Sequence, residues 1–171
     1  MPPSATRLAN LDLTTLAERL GRACRAQGLS VTAAESCTGG GVASAITAVA
    51  GSSDYFETGY VTYSNGAKTR LLGVPGALLE AHGAVSREAV EAMVAGACRD
   101  SGASLGVAVS GVAGPGGGSP DKPVGTVWFA WGDAEHQQAE CRHFPGDRRA
   151  VRERAVREAL VGLLHRLERR E

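Results

Sequence analysis

Three stretches of this chain carry side chains that could do covalent chemistry together. The first is Ala33-Ala34-Glu35-Ser36-Cys37-Thr38-Gly39-Gly40-Gly41. An apolar run that ends in a serine and a glycine-rich turn, with a helix to follow, gathers backbone N–H groups around a polarised oxygen beside a nucleophile. A serine hydroxyl is a weak nucleophile at neutral pH and needs a base. No histidine motif lies near Ser36, and only two of the eighteen basic residues are lysines, Lys68 and Lys122. Lys68 stands just behind the turn Ser64-Asn65-Gly66, and a desolvated lysine can take a serine proton. Tyr63, five residues earlier, could relay that proton or hold the amine. The third stretch is Ser110-Gly111-Val112-Ala113-Gly114-Pro115-Gly116-Gly117-Gly118, whose N–H groups and hydroxyl could hold a phosphate.

Other readings stand beside these. Cys37 is the rival nucleophile, because a thiolate forms far more easily than an alkoxide, or it is an apolar filler. Glu35 either orients the site from behind or pairs with an arginine. Arg148, Arg149 and Arg152 occupy the first turns of a helix begun by Asp147, where cations oppose the helix dipole. At least one is therefore expected to meet a ligand phosphate or carboxylate, unless the three form a solvated face. The second glycine element lacks the Gly-Lys-Ser/Thr ending of a P-loop, and neither glycine stretch has the Gly-x-Gly-x-x-Gly spacing of a dinucleotide fold.

These stretches need a scaffold, and the pattern supplies one. Leu13, Leu16, Ala17, Leu20 and Cys24 share a helical face that Gly28 ends, and Leu29 to Ala34 reads as a strand. A helix carrying Val42, Ala43, Ala45, Ile46 and Val49 follows the first glycine turn, then a strand over Phe56 to Tyr63. Short helical pieces are expected over Ala67 to Leu72 and Val74 to Gly83, and a helix capped by Ser86 through Cys98. Leu105 to Val109 is an apolar strand, and Gly111 to Val124, with five glycines and three prolines, is loop. Gly125 to Trp131 and His136 to Phe144 read as a hairpin before a last helix striped by Val151, Ala155, Ala159, Leu163 and Leu167. Interleaved strands and helices predict a single α/β domain, a mixed sheet between two helical layers, with residues 1 to 10 as a loose leader and 11 to 171 as the domain. Loops after its parallel strands gather at one edge, which would bring the three stretches into one site.

Composition narrows the choices. A zero formal net charge across 171 residues argues against a polyanion-binding whole, although residues 141–171 are locally basic. Aromatic residues are 5%, too few for the stacking platforms of a nucleic-acid binder. Four cysteines without a Cys-x-x-Cys pair, no signal peptide and no long apolar span predict a reduced, cytoplasmic protein without a membrane segment. Four scattered histidines give no metal-ligand pattern.

Taken together, the chain resembles the C-terminal domain of the competence/damage-inducible CinA family. The likeness spans about residues 12 to 167, through Ala34-Glu35-Ser36-Cys37-Thr38-Gly39-Gly40, Gly59-Tyr60-Val61-Thr62-Tyr63-Ser64-Asn65 with Lys68 behind, and Gly111-Val112-Ala113-Gly114-Pro115-Gly116-Gly117 leading into Pro123-Val124-Gly125-Thr126-Val127. The resemblance implies a three-layer α/β/α domain that hydrolyses the carboxamide of nicotinamide mononucleotide, releasing ammonia and nicotinate mononucleotide. It implies Ser36 as nucleophile with Tyr63 and Lys68 completing the catalytic group, and no metal or cofactor. Substrate contacts are then expected from Cys37, Thr38, Gly39, Gly40, Ser110, Gly111, Gly114 and Arg148. Ser110 replaces a common threonine with its hydroxyl retained, and Gly66 stands where an acidic residue is frequent. A homodimer is the assembly that the resemblance suggests. The family's larger N-terminal domain has no counterpart in these residues, and its activity is not expected. The alternative from another class is a non-catalytic nucleotide-binding or regulatory module.

Overall fold

The computed structural model describes Leu8 and residues 10–170, so most of the expected leader over 1–10 lies outside the described residues. Leu8 itself is buried in the core. Helix α1 (Leu13–Gln27) starts where the Asp12 carboxylate accepts from the Thr15 N–H, and stops at Gly28, whose φ of 63° favours a residue without Cβ. Leu16, Ala17, Leu20 and Cys24 are buried as their spacing predicts, while Leu13, in the exposed first turn, is 38% accessible.

The chain continues through β1 (Val31–Glu35), α2 (Gly41–Thr47), a 3-10 turn at Ser52–Asp54, β2 (Phe56–Val61), α3 (Asn65–Leu72), α4 (Gly76–His82), α5 (Arg87–Ser101) and β3 (Leu105–Gly111). The hairpin β4 (Thr126–Gly132) and β5 (Gln137–His143) and the long α6 (Arg148–Glu168) complete it. Every expected element is present. Strand β2 ends at Val61 rather than Tyr63 because its partner β1 ends at Glu35, and the Thr62 N–H makes the last rung to the Glu35 carbonyl. Ser86 and Asp147 cap α5 and α6 through the N–H groups of Ala89 and Ala150, as their positions predict.

The five strands run in the order β2-β1-β3-β4-β5, parallel across β2, β1 and β3 and antiparallel across β3, β4 and β5. Alternation along the strands separates two cores. Ala33, Val107, Val109, Phe129 and Trp131 face α1, α2 and α6, whereas Ala34, Ala108 and Ala130 face the layer that holds α3, α4 and α5. Fully burying Phe129 alone contributes about 2 kcal/mol. Trp131 belongs to the core rather than to a surface, and its Nε1 donates to the Ala159 carbonyl at 3.1 Å. From β1 the chain passes first to β2 on one side, then to β3 on the other. The crevice beyond the carboxyl end of β1 is therefore a topological switch point, where open α/β sheets bind ligands.

Candidate active site

Ser36 lies one residue past β1, held by its own N–H on the Val109 carbonyl. Its position depends on Glu35, which is completely buried. The Glu35 carboxylate accepts from the Thr38 hydroxyl at 2.6 Å, the Val42 N–H at 2.8 Å and the Ala43 N–H at 3.1 Å. No arginine pairs with it among the described residues; its partners are the first turn of α2 and the turn's own threonine. The hairpin-tight path between them needs Gly39 and Gly40 at φ 57° and 101°, in the left-handed region that side chains disfavour.

This arrangement changes the expected oxyanion hole. The first-turn N–H groups of α2 are already committed to Glu35, and those of Gly39 and Gly41 donate to the Ser36 and Thr38 carbonyls. The N–H groups of Thr38 and Gly40 have no partner among the described residues. Thr38, expected to meet substrate, turns its hydroxyl inward to Glu35 and is 1% accessible, so only its main chain is left for that task.

Lys68 comes to Ser36 from the connection after β2. Its Nζ donates to Ser36 Oγ at 3.0 Å, to the Thr62 carbonyl at 2.8 Å and to the Tyr63 carbonyl at 3.4 Å. The side chain is 1% accessible. Burial lowers its pKa below the ordinary lysine value of 10.5. An anionic Cys37 would oppose that shift, but burial pushes the Cys37 thiol up to about 11, which leaves it uncharged at neutral pH. A neutral amine has two N–H groups and one lone pair. Burial favours that neutral form relative to a solvated lysine, and in it the Thr62 and Tyr63 carbonyls can accept both N–H groups while the lone pair faces the Ser36 hydroxyl. The same burial argues against Cys37 as the nucleophile.

The Tyr63 hydroxyl lies elsewhere. It accepts from Arg148 Nη2 at 3.0 Å on a residue 61% accessible, and only the Tyr63 carbonyl faces the amine. Arg148 also donates through Nη1 to the Gly114 carbonyl at 2.8 Å, so it joins the β2–α3 connection to the loop after β3. Arg149 pairs with Glu153, and Arg152 donates to the Cys37 and Thr38 carbonyls. All three arginines at the head of α6 thus have protein partners. Lys122 is remote from this chemistry: its Nζ reaches the His82 carbonyl at 2.8 Å and fastens the glycine loop to the end of α4.

A cavity of about 310 Å³ opens on these groups, lined by Ser36, Cys37, Tyr63, Gly111, Gly114 and Arg148 among others. A second, of about 650 Å³, adjoins it through Ala113 and Arg148 and reaches Asp147, Arg149 and Arg152. Ser110 is buried near the end of β3 beside Gly111 and does not line the smaller cavity. Ser36, Lys68 and the second glycine loop therefore meet in one place. Among the described residues no cluster of histidine, cysteine, aspartate and glutamate could hold a metal, and no helix is long and apolar enough to cross a membrane.

The model of the CinA C-terminal domain matches residues 13–167, nearly the whole described chain. The chain belongs to the CinA C-terminal domain family. This CinA domain is 64% identical over 152 residues to the nicotinamide-nucleotide amidohydrolase PncC of Pseudomonas putida, covering 89% of this chain and 95% of that one. To the nicotinamide-nucleotide amidohydrolase PncC of Escherichia coli K12 it is 50% identical over 159 residues, with 91% and 95% covered. Its fold superposes on the crystal structure of the competence damage-inducible protein A of Klebsiella pneumoniae with a TM-score of 0.91 at 40% identity, covering 94% of this CinA domain and all of that chain.

Proposed function

We propose that this chain is a nicotinamide-nucleotide amidohydrolase that cleaves the carboxamide of nicotinamide mononucleotide through an acyl-enzyme on Ser36. The observation that carries the reading is the buried Lys68 amine 3.0 Å from Ser36 Oγ, with two carbonyls occupying its other donor directions. That relatives at 64% and 50% identity are nicotinamide-nucleotide amidohydrolases supports the substrate.

In this mechanism neutral Lys68 takes the Ser36 proton as Oγ attacks the carboxamide carbon. N–H groups of the Cys37–Gly40 turn stabilise the oxyanion, a contribution of about 3 kcal/mol per donor. The ammonium of Lys68 then returns its proton to the departing nitrogen, so ammonia leaves as the C–N bond breaks. Water, deprotonated by the same amine, hydrolyses the ester and restores the serine. Tyr63 positions Lys68 through its carbonyl and Arg148 through its hydroxyl. The pyridine ring occupies the smaller cavity, and the ribose phosphate extends into the larger one towards the arginines. Ser110, Gly111 and Gly114 shape the ring's side of the site. The reading carries with it a dimer and a reducing, cytoplasmic setting, consistent with four free cysteines.

Ammonia released from nicotinamide mononucleotide measures the activity directly. Wild type is expected to turn over and Ser36→Ala to fall by on the order of 10³-fold or more. Equal rates in the two proteins would remove the serine chemistry. Binding of the nucleotide without release of ammonia by either would favour the non-catalytic module.

A further inference from the structure

The first glycine stretch is closed from above by one face of α6. Val156 Cγ2 lies 2.7 Å from where a Cβ on Gly41 would stand, and Arg152 Nη2 lies 3.2 Å from the corresponding point on Gly39. Arg148, one turn earlier, rests on the Gly114 carbonyl. Residues 148, 152 and 156 are four apart and line one face of the helix. Successive turns of α6 therefore seat on Gly114, Gly39 and Gly41.

Within that stack Arg152 has a distinct task. Its Nε donates to the Cys37 carbonyl at 3.1 Å and its Nη2 to the Thr38 carbonyl at 3.3 Å, from a part-buried position. These are the carbonyls of the two residues directly after Ser36. A planar guanidinium gripping two consecutive carbonyls fixes their orientation, and with it the direction in which the preceding serine presents its hydroxyl. The charge also polarises the Cys37–Thr38 amide, which strengthens the Thr38 N–H as a donor. The geometry points to Arg152 as a positioning residue for the amidohydrolase reaction, acting through the nucleophile turn rather than on the substrate.

This inference rests on the amidohydrolase reading and is separable from it. Arg152 also borders the larger cavity, so the rival role is that of a phosphate anchor. The two roles divide the kinetic constants. A group that orients the nucleophile lowers kcat with little change in KM, whereas an anchor raises KM. Arg152→Ala is expected to lose about 100-fold in kcat on nicotinamide mononucleotide, the size of effect that an ångström of misplacement produces, with KM within about threefold of wild type. Free guanidinium ion, at concentrations that leave wild type folded, is expected to restore part of that kcat. Arg152→Lys keeps the charge but loses the paired grip, and is expected to fall between the two. It also serves as the test variant if the alanine form does not fold.

A readout independent of turnover accompanies the kinetics. Amide hydrogen exchange at Gly39 and Gly41, whose N–H groups close the turn, is expected to quicken by at least about tenfold in either variant. A rise in KM alone, or unchanged kcat with unchanged exchange, overturns the positioning role. Should wild type release no ammonia, the amidohydrolase reading fails while the exchange measurement still decides what Arg152 does to the turn.

Discussion

Glu35 and Lys68 are the two charged residues buried among those described; Glu35 ends β1, and Lys68 lies in α3, the helix that follows the neighbouring β2. Their surroundings differ in kind. Glu35 has a hydroxyl and two N–H groups on its carboxylate, so its charge is satisfied inside the fold. Lys68 has two carbonyls and a serine hydroxyl, with no acidic counter-charge among its partners. A buried charge with full hydrogen bonding braces its surroundings; a buried amine without an anion is destabilised as the cation, so its neutral form is easier to reach. One residue builds the turn, and the other is the base that the proposed reaction uses.

The sharpest way to break this contrast is Lys68→Met. Activity is expected to fall by about 10³-fold, the upper range for loss of an acid–base group. Stability should respond with a definite pH dependence. Because the Lys68 pKa lies lower in the folded chain than in the unfolded one, the unfolded chain binds more protons between the two values, and wild-type stability rises with pH across that window up to about 10.5. The midpoint of Lys68→Met relative to wild type is therefore expected to be most favourable at the acidic end and to decline towards alkaline pH. A difference that does not vary with pH would mean that the amine is charged in the folded protein.

Glu35→Ala should act the other way round, on folding first. It strands the Val42 and Ala43 N–H groups and the Thr38 hydroxyl in a buried place, a loss of about 3 kcal/mol by denaturant titration. Glu35→Gln, which keeps one accepting oxygen, should lose less. Equal stability of all three proteins would dissolve the distinction between the two buried charges.

A smaller effect sharpens the picture of the turn as a fitted surface. Gly41→Ala pushes a methyl against Val156 and is expected to lose about 1–3 kcal/mol, part of which Val156→Ala should return in a double-mutant cycle. Additive losses would show that the two residues do not press on each other.

Much of this was legible in the order of residues, and for reasons that can be named. Lys68 was conspicuous because lysine is scarce here, and its place shortly after a strand brought it to the edge that Ser36 shares; the Ser-Asn-Gly stretch read as a turn is the cap and first residues of α3. The elements followed from apolar spacing and from caps at Ser86 and Asp147. Glu35 was harder, since a residue at the last position of a strand can face either way and its partners are seven and eight residues ahead. Arg152 was harder still. Its carbonyl partners precede it by 115 and 114 residues, and a helix N-terminus crowded with arginines reads equally as a ligand site or a solvated face. A signal was available in its spacing: Arg152 and Val156, four residues apart, share a helix face that lies over Gly39 and Gly41. The direction of the Tyr63 hydroxyl was not readable, because it depends on Arg148, which the chain brings in from another layer.

The strand order also has a practical side. All the groups discussed sit at one rim of the sheet, while the tip joining β4 to β5, at Asp133 to His136, marks the other. Seven residues of extended chain separate the two rims, a span of about 23 Å. A fluorescent peptide or affinity tag spliced into that tip would ride on the enzyme without entering its chemistry.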